Sequence, residues 1–126
     1  MSEFGGGIFE KVKKMENEYV TDEALANHVE HKIARGGKIY LTNKRLIFIP
    51  HKLDSNLGAN ILILPLEEID NVGYTGVRFT QIFSGGLRRR LSVTHACKEH
   101  LFVINKLDYW INEINNSIKA FGKKAA

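Results

Sequence analysis

The chain has 126 residues, 44% of them apolar and 25% charged, with a net charge of +4 and a single cysteine, Cys97. That is the size and make-up of one globular domain, able to bury roughly two thirds of its unfolded surface without staples. An internal disulfide is excluded, a reducing compartment fits, and no run reaches the roughly 18 apolar residues of a membrane span.

Gly5-Gly6-Gly7 reads as a flexible lead. Ile8, Val12, Met15 and Tyr19 recur at steps of four, three and four, which predicts an amphipathic helix over residues 8–19. From about residue 27 the period becomes two. Asn27–Ile33 predicts a strand, broken by Gly36-Gly37. Residues 38–49 then predict a hairpin turned at Asn43-Lys44, pairing Leu41 with Leu46 and Ile39 with Phe48. That register gives a core face of Ile39, Leu41, Leu46 and Phe48. Lys38, Tyr40, Thr42, Arg45, Ile47 and Ile49 lie on the other face.

Pro50 closes the hairpin, and a polar loop over 51–60 leads to a short strand, Ile61–Leu64. An acidic turn at 65–70 precedes a strand at Asn71–Thr75 and a glycine-bounded connection at 76–86. Leu87–Thr94 and Glu99–Ile104 predict a second hairpin. Leu107, Trp110, Ile111, Ile114, Ile118 and Phe121 form the apolar stripe of a terminal helix, with Asn105 or Asp108 as its cap. The expected architecture is mainly β: an N-terminal segment (1–26) with its helix, a domain at 27–121 of about seven short strands closed by the last helix, and a disordered tail at 122–126.

In this order the motifs resemble those of the GRAM domain family. G-K-I-Y-L-T-N-K-R-L-I-F (37–48) is similar to its central hairpin, and I-L-P-L-E-E-I-D-N-V (63–72) to the segment that follows. G-L-R-R-R-L-S-V, H-L-F-V-I-N and D-Y-W-I-N-E-I resemble its last two strands and the start of its helix. The resemblance covers residues 28–120. It implies a pleckstrin-homology-like barrel of two near-orthogonal antiparallel sheets capped by a C-terminal helix. It also implies a non-enzymatic module that binds membrane phospholipids or proteins. The lipid-reading signature of such folds, a lysine and then K/R-x-R in the next strand, falls on Lys32, Lys38 and Tyr40, with Tyr40 in place of the arginine. The predicted N-terminal helix lies outside the family pattern.

Charge is uneven along the chain: residues 1–30 hold three Lys/Arg against seven Asp/Glu, residues 31–106 hold twelve against five, and residues 107–126 three against two. The basic middle favours an anionic partner. Arg88-Arg89-Arg90 is the sharpest cluster. Alternation places Arg88 and Arg90 on one face and Arg89 with Leu87, Leu91 and Val93 on the other. With Arg78, Lys32, Arg35 and Lys38 these form a candidate anion- or lipid-binding rim. The bland alternative is a solvated edge on which Arg89 snorkels. Phe79, Ile82 and Phe83 sit beside the arginines as candidate membrane or partner contacts, unless they fold back under the barrel.

Phe4, Ile8 and Phe9 beside Lys11, Lys13 and Lys14 suggest an interfacial anchor. Glu10, Glu16 and Glu18 favour instead packing on the barrel or pairing with a second copy. The outward positions Ile47 and Ile49 also make a self-assembling or regulatory module the alternative function. His28, His31, His51, His95 and His100 show no metal-ligand spacing with Cys97. His95 and Cys97 lack an oxyanion hole, and no glycine loop has a phosphate-cradling context. No enzyme and no cofactor is expected. The aromatics are assigned to the core, so nucleic acid lacks stacking platforms. The N-terminus has no apolar signal core, and Ser2 does not start a myristoylation signal. A cytoplasmic protein, peripherally associated with membranes, is the expectation.

Overall fold

The computed structural model describes residues 3–30, 33–53, 60–75 and 89–125. The strands are β1 (Glu3–Gly6), β2 (Phe9–Lys13), β3 (Val20–Glu30), β4 (Ile33–Thr42), β5 (Arg45–Pro50), β6 (Leu62–Pro65), β7 (Ile69–Thr75), β8 (Arg90–His95) and β9 (Lys98–Ile104), followed by helix α1 (Leu107–Ala125). β1 and β2 form a two-stranded sheet of their own, joined to the rest by an isolated bridge from Phe9 to His51. The other seven form one antiparallel sheet in the order β6-β5-β4-β3-β9-β8-β7.

That order forces the sheet to curl. β6 and β7 stand at its two ends, yet only the 3-10 turn Leu66–Glu68 separates them in the chain. Flat, the ends would lie about 29 Å apart at normal strand spacing, and the link from Pro65 to Ile69 reaches roughly 14 Å. The strands therefore roll into a barrel around a core that includes Ile39, Leu41, Leu46, Phe48, Leu91, Val93 and Phe102. Helix α1 lies on β7, β8 and the 3-10 turn. Its predicted stripe is the buried face: Trp110 and Ile114 join the core, and Leu107, Ile111, Ile118 and Phe121 pack against it. The helix runs on to Ala125, through residues expected to fray.

The central hairpin has the expected register, with Leu41 opposite Leu46 and Ile39 opposite Phe48. Gly36-Gly37 does not break β4. A Cβ on Gly37 would lie 2.5 Å from the Ile49 carbonyl oxygen and 2.6 Å from the Phe48 ring, so glycine is what lets β5 and that ring close in.

The predicted N-terminal helix is absent; residues 3–13 are the β1–β2 hairpin. Gly5, Gly6 and Gly7 all take positive φ, and at Gly5 a Cβ would meet the Glu10 carbonyl oxygen. These glycines build the turn and its bulge rather than a flexible lead. Tertiary demand overrides the helical spacing. Phe4 and Val12 cover Tyr40, Ile47 and Ile49, so both isoleucines are 0% exposed. Ile8, Met15 and Tyr19, three of the four residues of the expected stripe, stay in water. Self-assembly through Ile47 and Ile49 loses its motive, because the chain's own hairpin covers them.

A polar clamp ties this hairpin down. Glu18 is buried and receives Arg45 Nε at 2.8 Å and Arg45 Nη2 at 3.0 Å, the Thr42 hydroxyl at 2.7 Å and the Met15 N–H at 2.9 Å. Arg45 Nη2 also donates to the Lys13 carbonyl at 2.8 Å. Burial pushes the Glu18 carboxyl up, but the bonds from Arg45, Met15 and Thr42 outweigh it and hold it below the usual carboxylate range. This stabilisation is present above pH 4.5 and is lost as pH falls through the lowered value.

Candidate docking surface

Strand register brings several basic and aromatic side chains to one end of the barrel. Arg35 lies opposite His28 on neighbouring strands, and directly opposed residues share a face. His28 lies opposite Phe102 on β9, and His100 and Lys98 follow on that face at two-residue steps. The rings form a stack: His28 is 4.9 Å from Phe102, 5.5 Å from Phe48 and 5.6 Å from His100. The mouth therefore has an aromatic floor with Arg35 and Lys98 at its rim. Burial in this floor, with the positive charge of Lys98 added, lowers the His28 pKa to about 4. The next turn outward, His95–Lys98, carries Ala96 and Cys97 at positive φ, and His95 Nε2 lies 3.1 Å from Glu68.

The outer face holds two grooves. One, of about 510 Å³, is bounded by Ile8, Leu25, Asn27, His51, Leu53 and Asn105, with Gly36 among the lining residues. The other, of about 640 Å³, lies where Phe4 and Gly5 meet Lys14, Asp22, Lys38 and Tyr40.

The candidate rim residues fare differently. Arg35 is half-buried at the mouth. Lys38 is on the outer face, 3.4 Å from Glu23 and 5.3 Å from the centre of the Tyr40 ring. Tyr40, in the arginine's place in the lipid-reading signature, seats the hairpin: its ring packs 5.4 Å from Phe4 and its hydroxyl accepts the Gly5 N–H at 3.3 Å. Arg90 is a correction to the exposed strip, since it is only 2% exposed. Arg90 through Val93 are all buried, so β8 is covered on both faces and alternation cannot sort in from out. The exposed arginine is Arg89, 4.8 Å over the Tyr74 ring. Lys32, Arg78 and Arg88, with Phe79, Ile82 and Phe83, lie outside the described residues.

Lys98 and Leu53 were missed from sequence, whereas Ile8 stood there as part of a candidate interfacial anchor. Lys98 is placed at the mouth by the register of β9 and by the two-residue turn before it. Ile8 and Leu53 are 60% and 64% exposed on neighbouring loops. Of the two missed, only Lys98 had a local signal, since it follows a turn and precedes an alternating run. Among the described residues, no three His, Cys, Asp or Glu side chains gather as a metal site, and no helix is long and apolar enough to cross a membrane.

A rolled seven-stranded antiparallel sheet with a C-terminal helix packed against it is a pleckstrin-homology-like fold, a scaffold that offers rims and loops rather than a catalytic cleft. A family model for the GRAM domain matches residues 8–105, and the chain belongs to that family, whose members are generally non-catalytic modules that bind lipids or proteins. Among solved structures, the Vps36 N-terminal PH domain superposes with a TM-score of 0.63 at 17% identity, covering 90% of this chain and 88% of that one. The C-terminal domain of an unknown protein from Leishmania infantum gives 0.59 at 16%, covering 80% and 84%. At these identities the likeness is one of fold. No curated protein matches the chain.

Proposed function

We propose that the chain is a non-catalytic docking module whose barrel end at Arg35 and Lys98 faces an anionic phospholipid surface. The observation that carries this reading is the convergence of Arg35 and Lys98 on one face above the His28–Phe102–His100 floor. Lys52 stands exposed near the same end, because His51 N–H bonds the Gly36 carbonyl, one residue from Arg35. Each such base contributes about 1 kcal/mol at an anionic bilayer. The basic middle of the sequence supplies the sign of charge that this partner needs.

Co-sedimentation with phosphatidylcholine–phosphatidylserine vesicles, against phosphatidylcholine alone, tests it. Binding is expected to need phosphatidylserine and to weaken with salt. The Lys52→Glu/Lys98→Glu pair is expected to weaken it by about 30-fold or more, since at least 2 kcal/mol of attraction is lost. Equal recovery on both vesicle types, or an unchanged double variant, would point to a protein partner instead.

A further inference from the structure

The tip of the N-terminal hairpin and the segment after β5 are locked together by backbone. Lys52 N–H donates to the Ile8 carbonyl at 2.9 Å, Phe9 bridges to His51, and the Phe9 and His51 rings meet edge-on at 6.0 Å. His51 N–H is held in turn by the Gly36 carbonyl at 3.0 Å, and Leu53 N–H by His51 Nδ1 at 3.0 Å. This bonding fixes the two loops, yet it leaves two large aliphatic side chains in water: Ile8 at 60% exposure and Leu53 at 64%. Lys52, whose N–H makes the bond to Ile8 and which precedes Leu53 in the chain, is itself exposed. An aliphatic pair held outward on bonded backbone, around a lysine, is the composition of a surface that enters the interface of a bilayer.

We infer that Ile8 and Leu53 form a membrane-inserting ledge, with Lys52 as its headgroup contact, and that its occupant is an anionic bilayer. The inference rests on the proposed function and gives it a second contact. Charge complementarity selects the occupant, because Lys52 on the ledge and Lys98 at the mouth are exposed bases at the same end of the barrel. Register selects the geometry. Pro50 lies opposite Gly37, so the chain passing through His51 to Leu53 runs level with Arg35 and toward the mouth. A bilayer resting on the mouth meets the ledge. The Phe9 ring, half-buried beneath Ile8, anchors the hairpin tip instead of inserting.

The test uses the full chain and phosphatidylcholine–phosphatidylserine vesicles. An Ile8→Trp variant reports insertion through quenching by lipids brominated along the acyl chain, with the wild type and its buried Trp110 as background. Strong quenching is expected. Ile8→Asp and Leu53→Asp are each expected to weaken vesicle binding about tenfold. Ile63→Asp, an exposed aliphatic on edge strand β6, is expected to leave it unchanged. Bound but unquenched Ile8→Trp, or ledge variants that bind like Ile63→Asp, would overturn the ledge and leave the basic mouth standing. A wild type that ignores these vesicles overturns both. Circular dichroism and thermal melts confirm that each variant is folded, and the tryptophan readout keeps the test open should an aspartate variant unfold.

Discussion

Acid should loosen this barrel through His28 before it releases the Glu18 clamp. The ring is buried between Phe48 and Phe102 and beside His100, and its pKa falls to about 4 from an ordinary 6.5. The unfolded chain therefore binds this proton more readily than the folded one. Stability is fully present above pH 6.5 and is lost as pH falls toward 4. The gap is worth about 3 kcal/mol in full, of which about 2 kcal/mol is lost between pH 7 and pH 5. For a domain of this size that lowers the urea midpoint by about 1 M. The Glu18 contribution is lost only below pH 4.5, so the window is clean of the carboxyl clamp. His28→Phe keeps a ring in the stack, should cost less than about 1.5 kcal/mol at pH 7, and should flatten the pH 7-to-5 difference. Urea titrations of both proteins at both pH values measure this. If His28→Phe loses as much stability on acidification as the wild type, the reasoning from burial fails.

Two other perturbations have definite outcomes. Arg45→Ala leaves Glu18 buried without its guanidinium and should cost about 3–5 kcal/mol in chemical denaturation. Gly37→Ala drives a Cβ against the Ile49 carbonyl and the Phe48 ring and should cost at least about 1–3 kcal/mol; a thermal melt unchanged from wild type would show that β4 and β5 are not held that close.

Where two residues interact through a fixed local spacing, the fold was legible. The pairing of Leu41 with Leu46 follows from alternation and a short turn, and the Trp110–Ile114–Phe121 stripe from the helical repeat. The N-terminal hairpin was not legible, because what decides it lies 35 to 45 residues away. Ile47 and Ile49 need a cover, and Phe4 and Val12 supply it. The helical spacing of Ile8, Val12, Met15 and Tyr19 was a coincidence that three glycines and this distant demand overrode. The Glu18 clamp was not legible for the same reason, since Arg45 stands 27 positions further on. Of the candidate rim, Arg35 fell between the predicted strand at 27–33 and the expected break at Gly36-Gly37, and only the unbroken β4 gives it a register. Arg90 could not be placed, because alternation sorts a strand only when one of its faces is wet.

The polar tetrad of the central hairpin sharpens where recognition can lie. Thr42 and Arg45 hold Glu18, the Asn43 side chain accepts the Tyr19 N–H and donates to the Asn17 carbonyl, and Lys44 Nζ donates to the Glu16 carbonyl. Each of these side chains grips the segment that follows the N-terminal hairpin, so two bases from the chain's most basic stretch are committed to fastening it. Lys38 is engaged by Glu23 and Tyr40, and Arg90 is buried. A count of lysines and arginines along the middle segment therefore overstates the charge offered to a partner and misplaces it. The same fastening does something else. By fixing the hairpin it fixes the Ile8 backbone against Lys52, beside the strands that carry Arg35 and Lys98. The hairpin motif shapes the docking surface without touching what docks.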